Sequence, residues 1–168
     1  MCPRDRRAPC GACRLTRKAA ARRQAWEGVP EVRRAIMRAN KAKDTKPELA
    51  VRGMLHAMGY RFRLHRRDLP GRPDIVLPGR RKVVQVHGCF WHQHEGCRRA
   101  TLPHSRREYW LPKLARNKER DAHAELALAE LGWRMTTVWE CELARPDNLA
   151  RRLRAFLGRK RTVSRKRK

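Results

Sequence analysis

Between His87 and Cys97 the chain carries three histidines and two cysteines: His87, Cys89, His92, His94 and Cys97. Cys89-x4-His94-x2-Cys97 sets three zinc-type ligands close together. A structural zinc takes four, in a tetrahedron. Cys141 is the candidate fourth, because it ends a predicted strand that can lie beside the strand feeding Cys89. The competing reading is buried free thiols and a surface histidine, and His92 could replace His94 as the ligand on chemistry alone. Histidines left free of metal suit proton abstraction from water near neutral pH, which makes His87 and His92 candidates for a general base. Asp74 closes the run Leu69-Pro-Gly-Arg-Pro-Asp74. A lone carboxylate in such a run is either a turn residue or a ligand for hard Mg²⁺, which prefers oxygen donors and can neutralise a phosphate. Phe90 and Trp91 sit among these polar groups, where a core would not normally place them.

The surrounding pattern says which elements must hold these residues. Val83, Val84 and Val86 predict a buried strand over Lys82–Val86, which Gly88 ends. Ile75-Val-Leu77 predicts the strand before it, and Pro78-Gly79 the turn between them. Antiparallel pairing across so short a connection brings Asp74 to Gln85, Val86 and His87. Upstream, Val32 to Asn40 reads as a short basic helix. Thr45-Lys-Pro-Glu48 has the form of a capping box for a helix carrying Val51, Leu55 and Met58. Tyr60 to Leu64 alternates apolar and basic residues and predicts a strand with one wet face. Downstream, Glu108 begins a helical region, Pro112 suggests a break or a helix N-terminal turn, and Leu114 to Leu131 predicts a long helix with Leu114, Ala122, Leu126, Ala129 and Leu131 inward. Arg134 to Trp139 predicts a fourth strand, with Trp133 and Trp139 as core aromatics. Asn148 to Leu157 predicts a last helix burying Leu149, Leu153, Phe156 and Leu157. The order implies α/β architecture, a central mixed sheet flanked by helices.

Charge narrows the partner. The formal net charge is +27 over 168 residues. Setting aside residues 1–30 and 158–168 still leaves 28 basic against 14 acidic residues, so the folded body is itself basic. A polyanion follows, and nucleic acid before a membrane surface. The sequence has neither an apolar run long enough for a membrane span nor a signal-peptide h-region at its start. The six cysteines are therefore expected as cytoplasmic thiols or metal ligands. Residues 1–31 read as a basic arm, 32–157 as one domain, and 158–168 as a basic tail. Cys10-Gly-Ala-Cys13 in the arm has no histidine or second such pair nearby and reads as chance rather than half a metal or redox site.

Six runs in order carry a resemblance: Asp-Thr-Lys-Pro-Glu-Leu at 44–49, Leu-Pro-Gly-Arg-Pro-Asp at 69–74, His-Gly-Cys-Phe-Trp-His at 87–92, Asn117 with Glu119-Arg-Asp121, Leu-Gly-Trp-Arg at 131–134 and Val-Trp-Glu-Cys at 138–141. Over Val32 to Leu143 the chain resembles the very short patch repair (Vsr) DNA mismatch endonucleases. The resemblance implies a restriction-endonuclease-like fold with a structural zinc. It also implies a Mg²⁺-dependent nick 5′ of the T in T:G mismatches left by deamination of 5-methylcytosine. In that reading Asp74 and the backbone carbonyl of Val86 hold Mg²⁺, His92 is the base, His87 is a second active-site histidine, and Glu48 and Asp121 support them. Cys89, His94, Cys97 and Cys141 hold zinc, which leaves His92 free. Phe90, Trp91 and Trp110, with Met37 from the opposite groove, wedge into the DNA. The implied protein is a monomer linked functionally to a cytosine-5 methyltransferase and to mismatch-repair proteins. Gln85-Val86-His87 stands where the wider superfamily often has Asp/Glu-x-Lys, so the chemistry must be histidine-based. Glu95 and Gly96 put two residues between the zinc histidine and the second cysteine, where some relatives have one. Asn40 falls where some relatives carry an aliphatic side chain. Two other classes remain to be weighed: a restriction-type endonuclease and a non-catalytic, zinc-stabilised DNA-binding protein.

Overall fold

A computed structural model of the chain describes Gly28, residues 30–39 and residues 43–159. The chain divides into two compact units, Met1–Ala42 and Lys43–Lys168. The described helix of the first is α1, Glu31–Ala39. Met37 lies on α1, but its side chain is outside the described residues, and Cys10, Cys13 and Asn40 lie outside them altogether.

The second unit is a four-stranded mixed sheet with helices on both faces. Its elements are α2 (Lys46–Ala57), β1 (Arg63–Leu64), β2 (Ile75–Leu77), β3 (Lys82–His87), α3 (Arg107–Glu130), β4 (Arg134–Trp139) and α4 (Pro146–Leu157). The strand order is β1-β2-β3-β4. β1–β2 and β2–β3 pair antiparallel, and β3–β4 pair parallel. A parallel pair needs a long crossover, which α3 supplies. Ile75, Leu77, Val84, Val86 and Val138 pack with Val51 and Leu55 of α2 and Leu149, Leu153 and Leu157 of α4. Val76 and Val83 pack with Leu69 and with Leu128 of α3. Covering both faces is why β2 and β3 read as continuous apolar runs.

The cap of α2 is the expected one with a shifted partner. Thr45 Oγ1 accepts the Glu48 N–H at 3.4 Å and donates to Glu48 Oε1 at 3.0 Å. The other carboxylate oxygen takes the N–H of Asp44, 3.1 Å away. At the far end of α4, Tyr60 Oη donates to the Gly158 carbonyl at 2.7 Å, Arg80 to Leu157 at 2.8 Å and Lys82 to Phe156 at 2.6 Å. Hydroxyl and cation donors thus satisfy carbonyls that a helix end leaves free.

Three expectations are corrected. Only Arg63 and Leu64 of the Tyr60–Leu64 run pair as a strand; Tyr60 is buried and its hydroxyl is committed to α4. α3 runs unbroken through Pro112, which lacks only the N–H that would reach the carbonyl of Glu108. Its buried stripe is Leu114, Ala124 and Leu128, while Ala122 and Ala129 are exposed and Leu126 and Leu131 are exposed large hydrophobics. The true inward face follows Leu114, Asn117, Asp121, Ala124 and Leu128, a mixed polar and apolar line at helical spacing.

Gly71 shows why the loop before β2 needs its glycine. Its φ is +69°, and a Cβ built there would stand 2.5 Å from the Cβ of Ala124. The loop therefore lies directly on α3, and it delivers Asp74 to the start of β2.

Candidate active site

The pairing of β2 with β3 places Asp74 as the sequence predicts. Its backbone N–H donates to Gln85 Oε1 at 2.9 Å, and its Oδ2 accepts the Val86 N–H at 2.8 Å. Burial pushes the Asp74 carboxyl up to about 6; the Val86 N–H works against this, and the nearby Glu48 carboxylate adds to it. An acid destabilised in its ionised form by burial is well matched to a bound cation.

One residue past Val86, His87 ends β3. Its ring stacks on His92 with centroids 3.7 Å apart and planes 9° from parallel. Burial and the adjacent His92 lower the His87 pKa to about 4, so its imidazole is neutral at pH 7. His92 Nδ1 is hydrogen-bonded to Asp121 Oδ2 from α3. Burial acts to raise the Asp121 carboxyl, but the His92 hydrogen bond and the charges around it win, leaving it below the usual range. A carboxylate can only accept. Nδ1 is therefore the donor, and Nε2 is the ring atom left to take a proton. The ligand-type atoms of His87, His92 and Asp121 lie within 4.8 Å of one another.

The chain then turns through Gly88, with the His92 N–H on the Gly88 carbonyl at 3.2 Å and the His94 N–H on the Cys89 carbonyl at 3.0 Å. These turns gather Cys89, His94 and Cys97. Parallel pairing in the register His87↔Trp139 puts Cys141, like Cys89, two residues beyond its paired strand end. The donor atoms of Cys89, His94, Cys97 and Cys141 all fall within 4.8 Å of one another. His94 Nδ1 is 3.3 Å from Cys141 Sγ and 3.7 Å from Cys89 Sγ. Burial pushes the Cys89 thiol up to about 12 and also raises Cys141, while the backbone N–H of Arg99 lowers Cys97. Three sulfurs and an imidazole nitrogen this close make a donor set of the kind that could hold a metal ion. Among the alternatives left open by chemistry, it is His94 that stands with the cysteines and His92 that stands with Asp121.

Phe90, Trp91 and Trp110 form one half-buried cluster, with centroid distances of 5.2, 5.4 and 5.8 Å. Lys113 Nζ lies 5.2 to 5.3 Å from the ring centroids of Trp91, Tyr109 and Trp110. Asn117 donates to the Trp91 carbonyl at 3.0 Å. The wedge candidates are thus pinned from α3.

Both signatures stand beside matches to known proteins. The family model described as DNA mismatch endonuclease Vsr matches residues 28–99. The type II nicking enzyme V.XorIIP of Xanthomonas oryzae pv. oryzae is 57% identical over 128 residues, covering 76% of this chain and 93% of that protein. DNA mismatch endonuclease Vsr of Escherichia coli (strain K12) is 43% identical over 113 residues, 67% of this chain and 72% of that one. The type II nicking enzyme V.NmeAIP of Neisseria meningitidis is 43% identical over 102 residues, covering 61% and 72%. The chain belongs to the Vsr family of DNA mismatch endonucleases. It is a DNA endonuclease by that membership.

The Vsr framework also contains residues that sequence reasoning passed over. Glu48, expected both as a cap and as a supporting acid, is buried and ion-paired to Arg52 at 2.8 Å, an arginine the sequence did not single out. His65 lies 3.9 Å from Asp74 Oδ1. Trp139, expected in the core, is half-buried. It stacks on His94 at 4.1 Å and meets His87 edge-on at 5.4 Å. Among the described residues no helix is long and apolar enough to cross a membrane.

Proposed function

We propose that this Vsr-family endonuclease nicks double-stranded DNA on the 5′ side of the T in a T:G mismatch, the lesion left by deamination of 5-methylcytosine, by Mg²⁺-dependent phosphodiester hydrolysis. The observation that carries the reading is the Asp74 carboxylate, one oxygen held by the Val86 N–H and the other left over, beside the His87–His92–Asp121 group. The donor set fits the ion: a buried carboxylate is a hard oxygen ligand of the kind Mg²⁺ prefers, and Asp74 with the Val86 carbonyl would hold it. Mg²⁺ bound there would neutralise charge on the scissile phosphate and acidify a water.

The remaining steps fall to the chain's own groups. Asp121 orients His92 so that Nε2 accepts a proton from the attacking water. His87, neutral at pH 7, stacks on His92 and keeps its ring in place without adding a competing charge. Glu48 supports Asp74 through the adjoining carboxylate cluster. Cys89, His94, Cys97 and Cys141 offer zinc a closed tetrahedral set, a staple rather than a reaction centre. That staple braces the loop presenting Phe90 and Trp91, which with Trp110 enter the DNA beside the mismatch; Met37 would enter from the other groove. A mismatched pair is cheaper to unstack, so a wedge discriminates by deformation cost. The relatives named as nicking enzymes favour cutting of a single strand. The protein acts as a monomer, linked functionally to a cytosine-5 methyltransferase and to mismatch-repair proteins in the bacterial cytoplasm. Its basic arm and tail add salt-sensitive DNA affinity.

Strand-specific nicking of a T:G duplex against its T:A control in Mg²⁺ tests the substrate. The expected result is a nick in the T-bearing strand of the T:G duplex alone. Equal cutting of T:A, or of both strands, would favour a restriction-type enzyme instead.

A further inference from the structure

β4 pairs with β3 on one side and is the last strand of the sheet. Backbone groups on such an edge are open to any strand that arrives. Here two side chains take them. The carbonyl of Thr137 accepts Arg152 Nη2 at 3.0 Å, and the N–H of Trp139 donates to Glu142 Oε2 at 2.8 Å. These groups, two residues apart, are the ones a neighbouring strand would meet with one N–H and one carbonyl. Arg152 Nη2 also donates to the same Glu142 oxygen at 2.8 Å, so the pair is closed on itself. Arg152 Nη1 adds a bond to Thr136 Oγ1 at 3.0 Å. The arginine comes from α4, and the glutamate from the tight turn Glu140–Ala144.

Stability alone does not account for this pair. Both side chains are partly exposed, and an ion pair in that setting adds little. Arg152 Nε is buried with no partner among the described residues, which is unfavourable. What the pair fixes is a direction. The chain leaves the sheet after Trp139, and Cys141 follows within the turn. Glu142, the next residue, reaches back to the Trp139 N–H and closes a ring of backbone around the cysteine. The Arg145 N–H on the Glu142 carbonyl at 3.0 Å tightens the same turn. Trp139 in turn stacks on His94 with ring planes 5° apart. Cys141 through the chain and His94 through the ring thus both depend on where this backbone is held.

We propose that Glu142 and Arg152 are positioning residues for the set Cys89, His94, Cys97 and Cys141. Standing in for a further strand on the edge of β4, they set the turn that aims Cys141 at the other donors. This rests on the reading of that set as a metal site. A ligand aimed before the ion arrives need not be ordered on binding, so the pair acts on metal affinity more than on the fold.

The test uses the full-length chain loaded with Co²⁺ and competed against a chelator. Visible absorption of Co²⁺ reports tetrahedral thiolate coordination, and circular dichroism with a thermal melt reports folding. Glu142→Ala and Arg152→Ala are each expected to hold Co²⁺ about 10- to 100-fold less tightly than the wild type. The double variant is expected to be no weaker than the single ones, because the two side chains act as one unit. Glu142→Gln keeps an oxygen for the Trp139 N–H and should recover most of the loss. Leu128→Ala opens a cavity on the face of the sheet away from α4; it should lower the melt and hold Co²⁺ as the wild type does. Alanine variants that hold Co²⁺ like the wild type overturn the proposal. An equal loss in Leu128→Ala would reduce the effect to stability, and an equal loss in Glu142→Gln would reduce it to charge; either overturns it. If Arg152→Ala does not fold, Glu142→Ala against Glu142→Gln decides in the same way. A wild type without tetrahedral Co²⁺ absorption, or a Cys141→Ser with unchanged absorption, would instead sink the reading of the set as a metal site, a separate failure.

Discussion

Two clusters of ligand-type side chains grow from the same strand end and differ in kind. Cys89, His94, Cys97 and Cys141 form a set of thiols and one imidazole that point at each other. His87, His92 and Asp121 form a set of imidazoles and a carboxylate, linked by stacking and one hydrogen bond, with His92 Nε2 left over. The first has the four soft donors of a closed structural metal site. The second, with the hard carboxylate of Asp74 nearby, has too few donors to saturate a metal and keeps a base available. Only a few residues separate them along the chain, so neither spacing nor composition assigns the roles. Direction does: the turn at Gly88 and the register of β3 with β4 send alternate residues to opposite tasks. Trp139 stands between the two sets, stacked on His94 and edge-on to His87, so the position of one set limits where His87 can move.

If the clusters differ as described, changes in them should separate stability from chemistry. The largest effect is expected for Cys141→Ser. It should lose zinc on purification and unfold more easily by about 3 kcal/mol or more, roughly 10 °C in Tm, with activity falling alongside. Zinc content by atomic absorption and a thermal melt check this; an unchanged Tm with zinc absent would remove the staple from the account. Next, His92→Ala should lower single-turnover nicking by about 10²- to 10⁴-fold while the melt and the zinc content stay as in the wild type. A change in zinc content would mean the two sets are not separate. Trp91→Ala belongs to neither cluster but depends on the first for its position. It should weaken binding to the T:G duplex by roughly 5- to 150-fold, the value of about 1–3 kcal/mol of stacking on a base. Binding by fluorescence anisotropy, with the T:A duplex as control, tests it. The smallest change concerns pH. The Asp74 carboxyl is pushed up to about 6 by burial, so protons compete with the cation as pH falls through that value. Mg²⁺ affinity at pH 5 should be about tenfold weaker than at pH 7.5. Isothermal titration at the two pH values reads the ratio, and an unchanged affinity would take Asp74 out of the cation site.

Much of this arrangement is legible in the sequence alone. β3 and β4 have strong β-branched patterns, and short-range pairing of β2 with β3 was enough to bring Asp74 to Val86. The cysteine and histidine spacing pointed to the staple, and the Cys89 and Cys141 positions followed from two strands ending together. What was hidden depended on partners far apart in sequence. His65 carries no motif of its own; only its contacts with Arg52 from α2 and Asp74 at the start of β2 single it out. Lys113 reads as one more surface cation until three aromatic rings are found beneath it. The phase of α3 was misjudged because its apolar residues run all round the helix, and the inward line includes Asn117 and Asp121, which serve the site instead of the core. Tyr60 broke the strand pattern because its hydroxyl is used to end a helix remote in sequence.

The central claim is that Asp74, and not the cysteine cluster, is where the phosphodiester is cut. A single experiment addresses it most directly: Asp74→Ala and the wild type compared on one T:G duplex in Mg²⁺, measuring DNA binding and nicking in parallel. The account predicts binding within a few-fold of the wild type and nicking reduced by about a thousandfold or more. Nicking that persists in Asp74→Ala at a comparable rate would contradict it.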